Sequence, residues 1–272
     1  VKTVLASLAA SVLLCVMAVA QTVVVLPPPE RTVASFWYRG MPAGTPRQAD
    51  LDAISAAGFG GVTWPLMQTT HVAELRRMAE RAGLKVLVRL EPEPLTIASA
   101  FRTETYVDVV IPSTAVTLMP ALVWRAVAHG AKVVSFDPGV TEGTGLVGRR
   151  QQTPAWVGPA SAVARQLTIN ATMVDTLTRG PAIRMELPVE GLDVSLLNAP
   201  RSWVLIATNT RAAGTPPTDT YAIMPVGVPP AEWLNLFDGS TIGMTSRPTG
   251  ARWHVILGPG DARLYVIDKQ QK

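Results

Sequence analysis

Between residues 35 and 180 the chain alternates short apolar runs with longer stretches in which apolar residues recur every three or four positions. The runs are "SFWYRGMP", "GGVTWP", "KVLVRLEP", "VDVVIP" and "KVVSFDP", and each stops at a proline: Pro42, Pro65, Pro92, Pro112 and Pro138. Proline removes a ladder donor and so ends a strand, while unbroken Val, Leu and Ile runs are what strands covered on both faces require. Between the first two runs, "TPRQADLDAISAAGF" predicts a helix with Thr45 as N-cap, Pro46 at the first helical position, Gln48 completing a capping box and Gly58 as its stop. "HVAELRRMAERAG" predicts an amphipathic helix with Val72, Leu75, Met78 and Ala82 on one face and Gly83 at its end. Shorter helical stretches are expected around Ala98 and Val127. A longer helix is expected from Pro154 to Arg179, with Val163, Leu167, Val174 and Leu177 near helical spacing.

The prolines lie 23, 27, 20 and 26 residues apart. Such strand-helix alternation predicts an α/β domain over residues 35–181, whose parallel sheet has right-handed crossovers, so that all five Pro-marked ends share one edge. From residue 182 to 272 the texture changes. "IRMELPV", "LDVSLLN", "SWVLIATN", "TYAIMPV", "WHVILG" and "RLYVID" are short and β-rich, with "FDGS" and "GPGD" as turn signals. This predicts a small antiparallel β-sandwich without helices.

With 48% apolar and 16% charged residues, the 272-residue chain is too apolar for disorder and long enough for a real core. The net charge of +4 comes from Arg residues spread along the chain and not interleaved with aromatics, which argues against nucleic acid as a partner. Residues 1–20 carry one Lys, an apolar run from Val4, and Ala18 and Ala20 before Gln21, the layout of a secretory signal; 21–34 reads as a linker. Secretion or periplasmic export is expected, or a membrane tether if the segment stays uncleaved. Cys15 is the one cysteine, so the exported part has no disulfide or thiolate chemistry. Leu14 before it does not suit a lipobox.

"FWYRGMP", "AAGFGGVTWP", "WRAVAHGAKVVSFDPG" and the terminal "LGPGDARLYVID" together resemble the secreted glycoside hydrolases built as a (β/α) barrel followed by a β-sandwich, particularly the beta-galactosidase-like group. The resemblance implies a carbohydrate ligand, no cofactor, and a contracted or incomplete TIM-like (β/α) barrel. It is contracted because eight units need about 200–250 residues, whereas Ser35 to Gly180 offers 146. If the Asp137 strand matches the last barrel strand, the missing units are the fifth to seventh. The group's nucleophilic Glu stands at the seventh, and its acid/base Glu follows an Asn at the end of the fourth, where this chain reads "VIPS". Neither carboxylate carries over onto a residue here.

Glycoside hydrolysis needs two carboxyl groups, one protonated and one ionised. The strand ends supply Glu91, Glu93 and Asp137, with Glu142 in the following loop. Glu91 and Asp137 form the candidate catalytic pair; alternatively Glu91 pairs with Arg89 or Arg39 and Asp137 caps its own turn. Trp37, Tyr38, Arg39, Trp64 and Arg89 are the candidate substrate contacts, although adjacent strand residues alternate faces, so Trp37 and Tyr38 do not both serve one pocket unless the strand has already ended there. Trp64 suits substrate contact or core packing, whereas Trp124 and Trp156 read as core. His129 reads as a helix C-terminal residue, and three scattered His give no metal site. "GTGLVG" lacks the strand and helix context of a nucleotide loop, no G-x-S-x-G elbow is present, and "NAT" at Asn170 falls inside a predicted helix. A non-catalytic descendant that binds glycan or protein is the alternative function.

Overall fold

The computed structural model describes residues 35–38, 47–65, 72–89, 108–131, 133–137 and 155–269; at 35–38, 63–65, 72, 87–89, 108–114, 133 and 137 the description is of the backbone. Five strands, β1 (Ser35–Tyr38), β2 (Gly61–Pro65), β3 (Lys85–Arg89), β4 (Asp108–Pro112) and β5 (Val133–Asp137), form one sheet in the order β3-β2-β1-β5-β4. Every pairing in it is parallel. Pro65 lies level with Arg89 and Pro112 with Asp137, so the strand ends do share an edge.

Read across the sheet from β4 to β3, the steps β4 to β5, β1 to β2 and β2 to β3 all run in one direction. Right-handed crossovers then place every connecting helix on the same face. The helices are α1 (Gln48–Ala56), α2 (Val72–Arg81), α3 (Met119–Ala128) and α4 (Val157–Thr176), with a 3-10 helix at Ser113–Leu118 leading into α3. Leu51 and Ile54 of α1, Leu75 of α2, Val123 and Trp124 of α3, and Val163 and Leu167 of α4 meet Val62, Val134 and Phe136 of the sheet in a single core. Phe136 stacks on Phe59 and meets Trp156 with ring centroids 4.8 Å apart. The described helices thus lie on one face of an open parallel sheet. Among the described residues β3 and β4 are its edges and no closed barrel is seen.

The strand order corrects one expectation. β4 lies beside β5 and at the opposite edge from β3, so "VIPS" does not end a fourth strand next to the third. Local pattern cannot reveal this, because a run of Val and Ile records burial and not its neighbour. The capping-box expectation also changes: α1 begins at Gln48, and its N-cap is Arg47, which makes no side-chain cap. Instead the Arg47 guanidinium grips Asp50 through two hydrogen bonds of 2.8 Å, and Gln48 donates to Asp52. Thr45 and Pro46 lie outside the described residues.

The remaining chain forms two antiparallel sheets. β6 (Thr178–Arg179), β8 (Leu192–Asn198), β9 (Ser202–Asn209), β11 (Trp233–Asn235), β12 (Thr241–Ile242) and β14 (Ala262–Asp268) make a six-stranded one. β7 (Arg184–Met185), β10 (Thr218–Ile223) and β13 (Arg252–Leu257) make a three-stranded one. The strand β9 shows how these layers join. Its alternate residues Val204 and Ile206 enter the core with α3 and α4, while Leu205 and Ala207 enter a second core with Ala222, Trp253 and Val255 of the smaller sheet. A strand buried on both faces explains the unbroken "WVLIA". β11 and β12 were not apparent in the sequence; "FDGS" is the turn between them, and β11 is only three residues long.

The β13–β14 turn docks on the α/β layer at Gly260, which has φ +83° and whose added Cβ would stand 2.2 Å from the Thr117 carbonyl oxygen. Both the left-handed backbone and the close approach demand glycine. Gly260→Ala is expected to lower stability by about 2–4 kcal/mol in urea unfolding. Gly214→Ala, at φ +87° but in open space, should cost only about 1–2 kcal/mol. Equal losses would contradict a docking role for the turn.

Candidate functional site

In an α/β sheet the C-terminal strand ends are where loops can carry chemistry without disturbing the core. The register divides the residues there into rows. Trp37 is level with Gly61 and Ser135; Tyr38 is level with Val62 and Phe136; Trp64 is level with Val88, and Arg89 with Pro65. Successive residues alternate faces. Tyr38 and Trp64 therefore fall in the rows of Val62 and Phe136, on the face the helices cover, whereas Trp37, Arg89 and Asp137 fall in rows of the opposite face. Gly61 and Ser135, the small residues flanking the Trp37 position, are both buried, and the Ser135 hydroxyl has no hydrogen-bond partner among the described residues.

Of the expected site residues, the backbone positions of Trp37, Tyr38, Trp64, Arg89 and Asp137 are described. Trp37 sits on the strand next to Asp137, two rows deeper. Arg89 stands on the outer strand β3, three strand spacings or about 14 Å from β5. Arg39, Glu91, Glu93, Glu142 and the "GTGLVG" loop lie outside the described residues. Trp124 and Trp156 are core: Trp124 is fully buried, its indole N–H donating to Gln166, and Trp156 packs on Phe136. Asn170 lies in α4, where its amide donates to the Gln166 carbonyl.

Two polar groupings went unseen in the sequence. At the C-terminus of α3, His129 Nε2 lies 2.5 Å from Asp193 Oδ2 on β8, Ser195 donates to the other Asp193 oxygen at 2.8 Å, and Arg125 Nε stands 3.5 Å away. Arg125 also donates to Thr210, which donates in turn to the Gly191 carbonyl. Serine and histidine both bond the same carboxylate and not each other, so the serine is not activated as a nucleophile. The arrangement is a clasp between α3 and β8. Burial pushes the Asp193 carboxyl upward, but the bonds from His129 and Ser195 and the charges of His129 and Arg125 outweigh it and hold it below the ordinary 3.8. His129 is therefore tied to a carboxylate as well as standing at a helix end.

The second grouping covers the outer face of the three-stranded sheet. Arg252 donates to Glu186 at 2.6 Å and lies 3.5 Å from the Tyr221 ring centroid; Tyr221 stacks on His254 at 4.6 Å, and His254 pairs with Asp219. The signal was the alternation in "RWHVIL": Trp253, Val255 and Leu257 are buried, leaving Arg252, His254 and Ile256 on the other face.

No protein-family model and no curated protein matches the chain. Among solved structures it is similar to the Thermotoga maritima alpha-fucosidase in complex with a mechanism-based inhibitor, at 9% identity and TM-score 0.50, covering 82% of this chain and 79% of that one. It also matches a GH30 endoxylanase from Clostridium papyrosolvens C71, at 8% identity and TM-score 0.39, covering 88% of this chain and 97% of that one. The likeness to the fucosidase is one of fold alone.

The clasp makes a pH-dependent prediction. Because the folded Asp193 carboxyl titrates below its unfolded value, its contribution is complete above the ordinary carboxylate range and is lost as pH falls from that range through the lower folded value. Asp193→Asn should therefore be less stable than the parent by about 1–3 kcal/mol at pH 7, with the gap narrowing in urea titrations once the pH falls below the ordinary carboxylate range. A gap that stays constant from pH 7 to pH 3 would contradict the assignment.

Proposed function

We propose that the protein is carbohydrate-active, with a saccharide engaged at the C-terminal edge of its parallel sheet and export directed by residues 1–20. The observation that carries this reading is the common orientation of the five strands, which sets the Trp37 and Asp137 positions on neighbouring strands in rows of one face, with the Arg89 position in a row of that face on the outer strand β3. The glycosidase-like fold outline supports it. Indole rings stack on the C–H faces of sugars, and Arg and Asp bond their hydroxyls. Hydrolysis at this edge draws on Asp137 with Glu91 as the second carboxyl group. Row parity supports Trp37 as the sugar-stacking residue, since the Tyr38 and Trp64 positions share rows with Val62 and Phe136.

A second reading, a non-catalytic glycan binder, is favoured by the strand order. If β5 stands where the resembled group has its last barrel strand, β4, its neighbour, stands where that group carries the nucleophile at the seventh, and it ends here in Pro112-Ser113, without a carboxylate.

A panel of aryl glycosides and polysaccharides separates the two. The hydrolytic reading expects Asp137→Asn and Glu91→Gln each to lower turnover by about 10²- to 10⁴-fold with unchanged circular dichroism. Full activity in both variants would exclude these assignments, and no turnover across the panel would leave the binding reading. In either case Trp37→Ala should weaken glycan retention in affinity gels, while Trp64→Ala should act on unfolding and spare retention. The reverse pattern would overturn the row assignment.

A further inference from the structure

The outer face of the three-stranded sheet carries a groove of about 290 Å³ lined by Arg184, Glu186, Ile223, Arg247, Thr249 and Arg252. Its floor is a row across all three strands, since Ile223 pairs with Arg184 on one side and Arg252 on the other. Three guanidinium groups therefore line the groove against one carboxylate. That carboxylate, Glu186, is engaged by Arg252, which is held further by its place over the Tyr221 ring. Arg184 and Arg247 have no carboxylate within ion-pair distance among the described residues, and both are exposed. Two uncommitted cations at the rim of a small concavity, beside a third that is fixed in place, form a receptor for an anion.

The other lining groups decide which anion. A bare sulfate gains nothing from Ile223 and has no hydroxyl to donate to the Glu186 carboxylate. A sugar acid uses all of them: its carboxylate takes the planar forks of Arg184 and Arg247, its hydroxyls meet the Glu186 oxygens and Thr249, and a C–H face rests on Ile223. At about 290 Å³ the groove falls just under the ~300–1,000 Å³ range of ligand pockets, a size for one monosaccharide unit and no more. Single-stranded nucleic acid requires open aromatic faces for base stacking, whereas Tyr221 has Arg252 over its ring and His254 stacked on it.

We propose that this groove binds an acidic saccharide unit through its carboxylate, on a face separate from the parallel strand ends. The choice of a sugar rests on the carbohydrate reading given above; the preference for an anion does not. Isothermal titration of the full chain tests it with galacturonate, galactose, inorganic sulfate and a single-stranded oligonucleotide as probes. Galacturonate should bind and galactose should not, and the joint variant Arg184→Ala, Arg247→Ala should weaken galacturonate at least about tenfold with unchanged near-ultraviolet circular dichroism. The same variant should retain neutral glycans in affinity gels as the parent does, whereas Trp37→Ala should lower that retention and leave galacturonate binding intact. Sulfate binding as tightly as galacturonate would overturn the sugar assignment, as would tighter binding of the oligonucleotide. No galacturonate binding, or binding indifferent to the paired substitution, would overturn the site itself. If galacturonate binds as expected while neutral-glycan retention and turnover are absent throughout, the strand-end reading fails and the groove stands.

Discussion

The pairing of β1 with β5 is the constraint from which the rest of the architecture follows. It puts the earliest of the parallel strands at the centre of the sheet, with β2 and β3 on one side and β5 and β4 on the other. Once that pairing is set, every connection that joins neighbouring strands advances in one direction, and right-handedness sends all the helices to one face. The rows follow from the same register: Trp37 is level with Ser135, and Asp137 stands two residues beyond it. The distribution of candidate chemistry between a helix-covered face and its opposite is a consequence of that alignment.

Burial then builds outward in layers. α3 lies between the parallel sheet and the six-stranded sheet, with Trp124 fully buried and tilted against Phe237 at 5.1 Å. Beyond it, β9 serves two cores through alternate residues, and the small sheet closes the second core with Trp253 set edge-on to Tyr265. Apolar contact supplies most of the favourable free energy in such a stack, while polar ties such as His129–Asp193 fix the register between layers. The outer face of the last layer is left to charged and planar groups, Glu186, Arg252, Tyr221, His254 and Asp219 in succession. Such a surface resists edge pairing and offers recognition instead.

Much of this was legible in the sequence, for identifiable reasons. Strands stopping at Pro65 and Pro112, helices stopping at Gly58 and Gly83, and the apolar face around Leu75 all record local physics that residue patterns carry directly. Strand order was not legible. "VDVVIP" reads the same whether its neighbour is β3 or β5, and only the tertiary pairing assigns it to β5. The helix start at Gln48 escaped because Arg47 and Asp50 tie the first turn by an ion pair in place of a capping box. The Asp193 clasp and the arginine groove escaped because their members are far apart in sequence, Arg125 from Asp193 and Arg184 from Arg252, and meet only through strand pairing. The row positions of Trp37 and Trp64 followed from alternation, but their assignment to a face required the register.

The central claim is that β1 and β5 are parallel neighbours at the middle of the sheet. Interstrand backbone NOEs in deuterated, amide-labelled protein test it directly. The account predicts contacts joining Trp37 and Tyr38 to Ser135 and Phe136 in a parallel pattern, together with contacts from Ile111 to Phe136. Contacts joining residues 108–112 to 85–89, or an antiparallel pattern between β1 and β5, would contradict it.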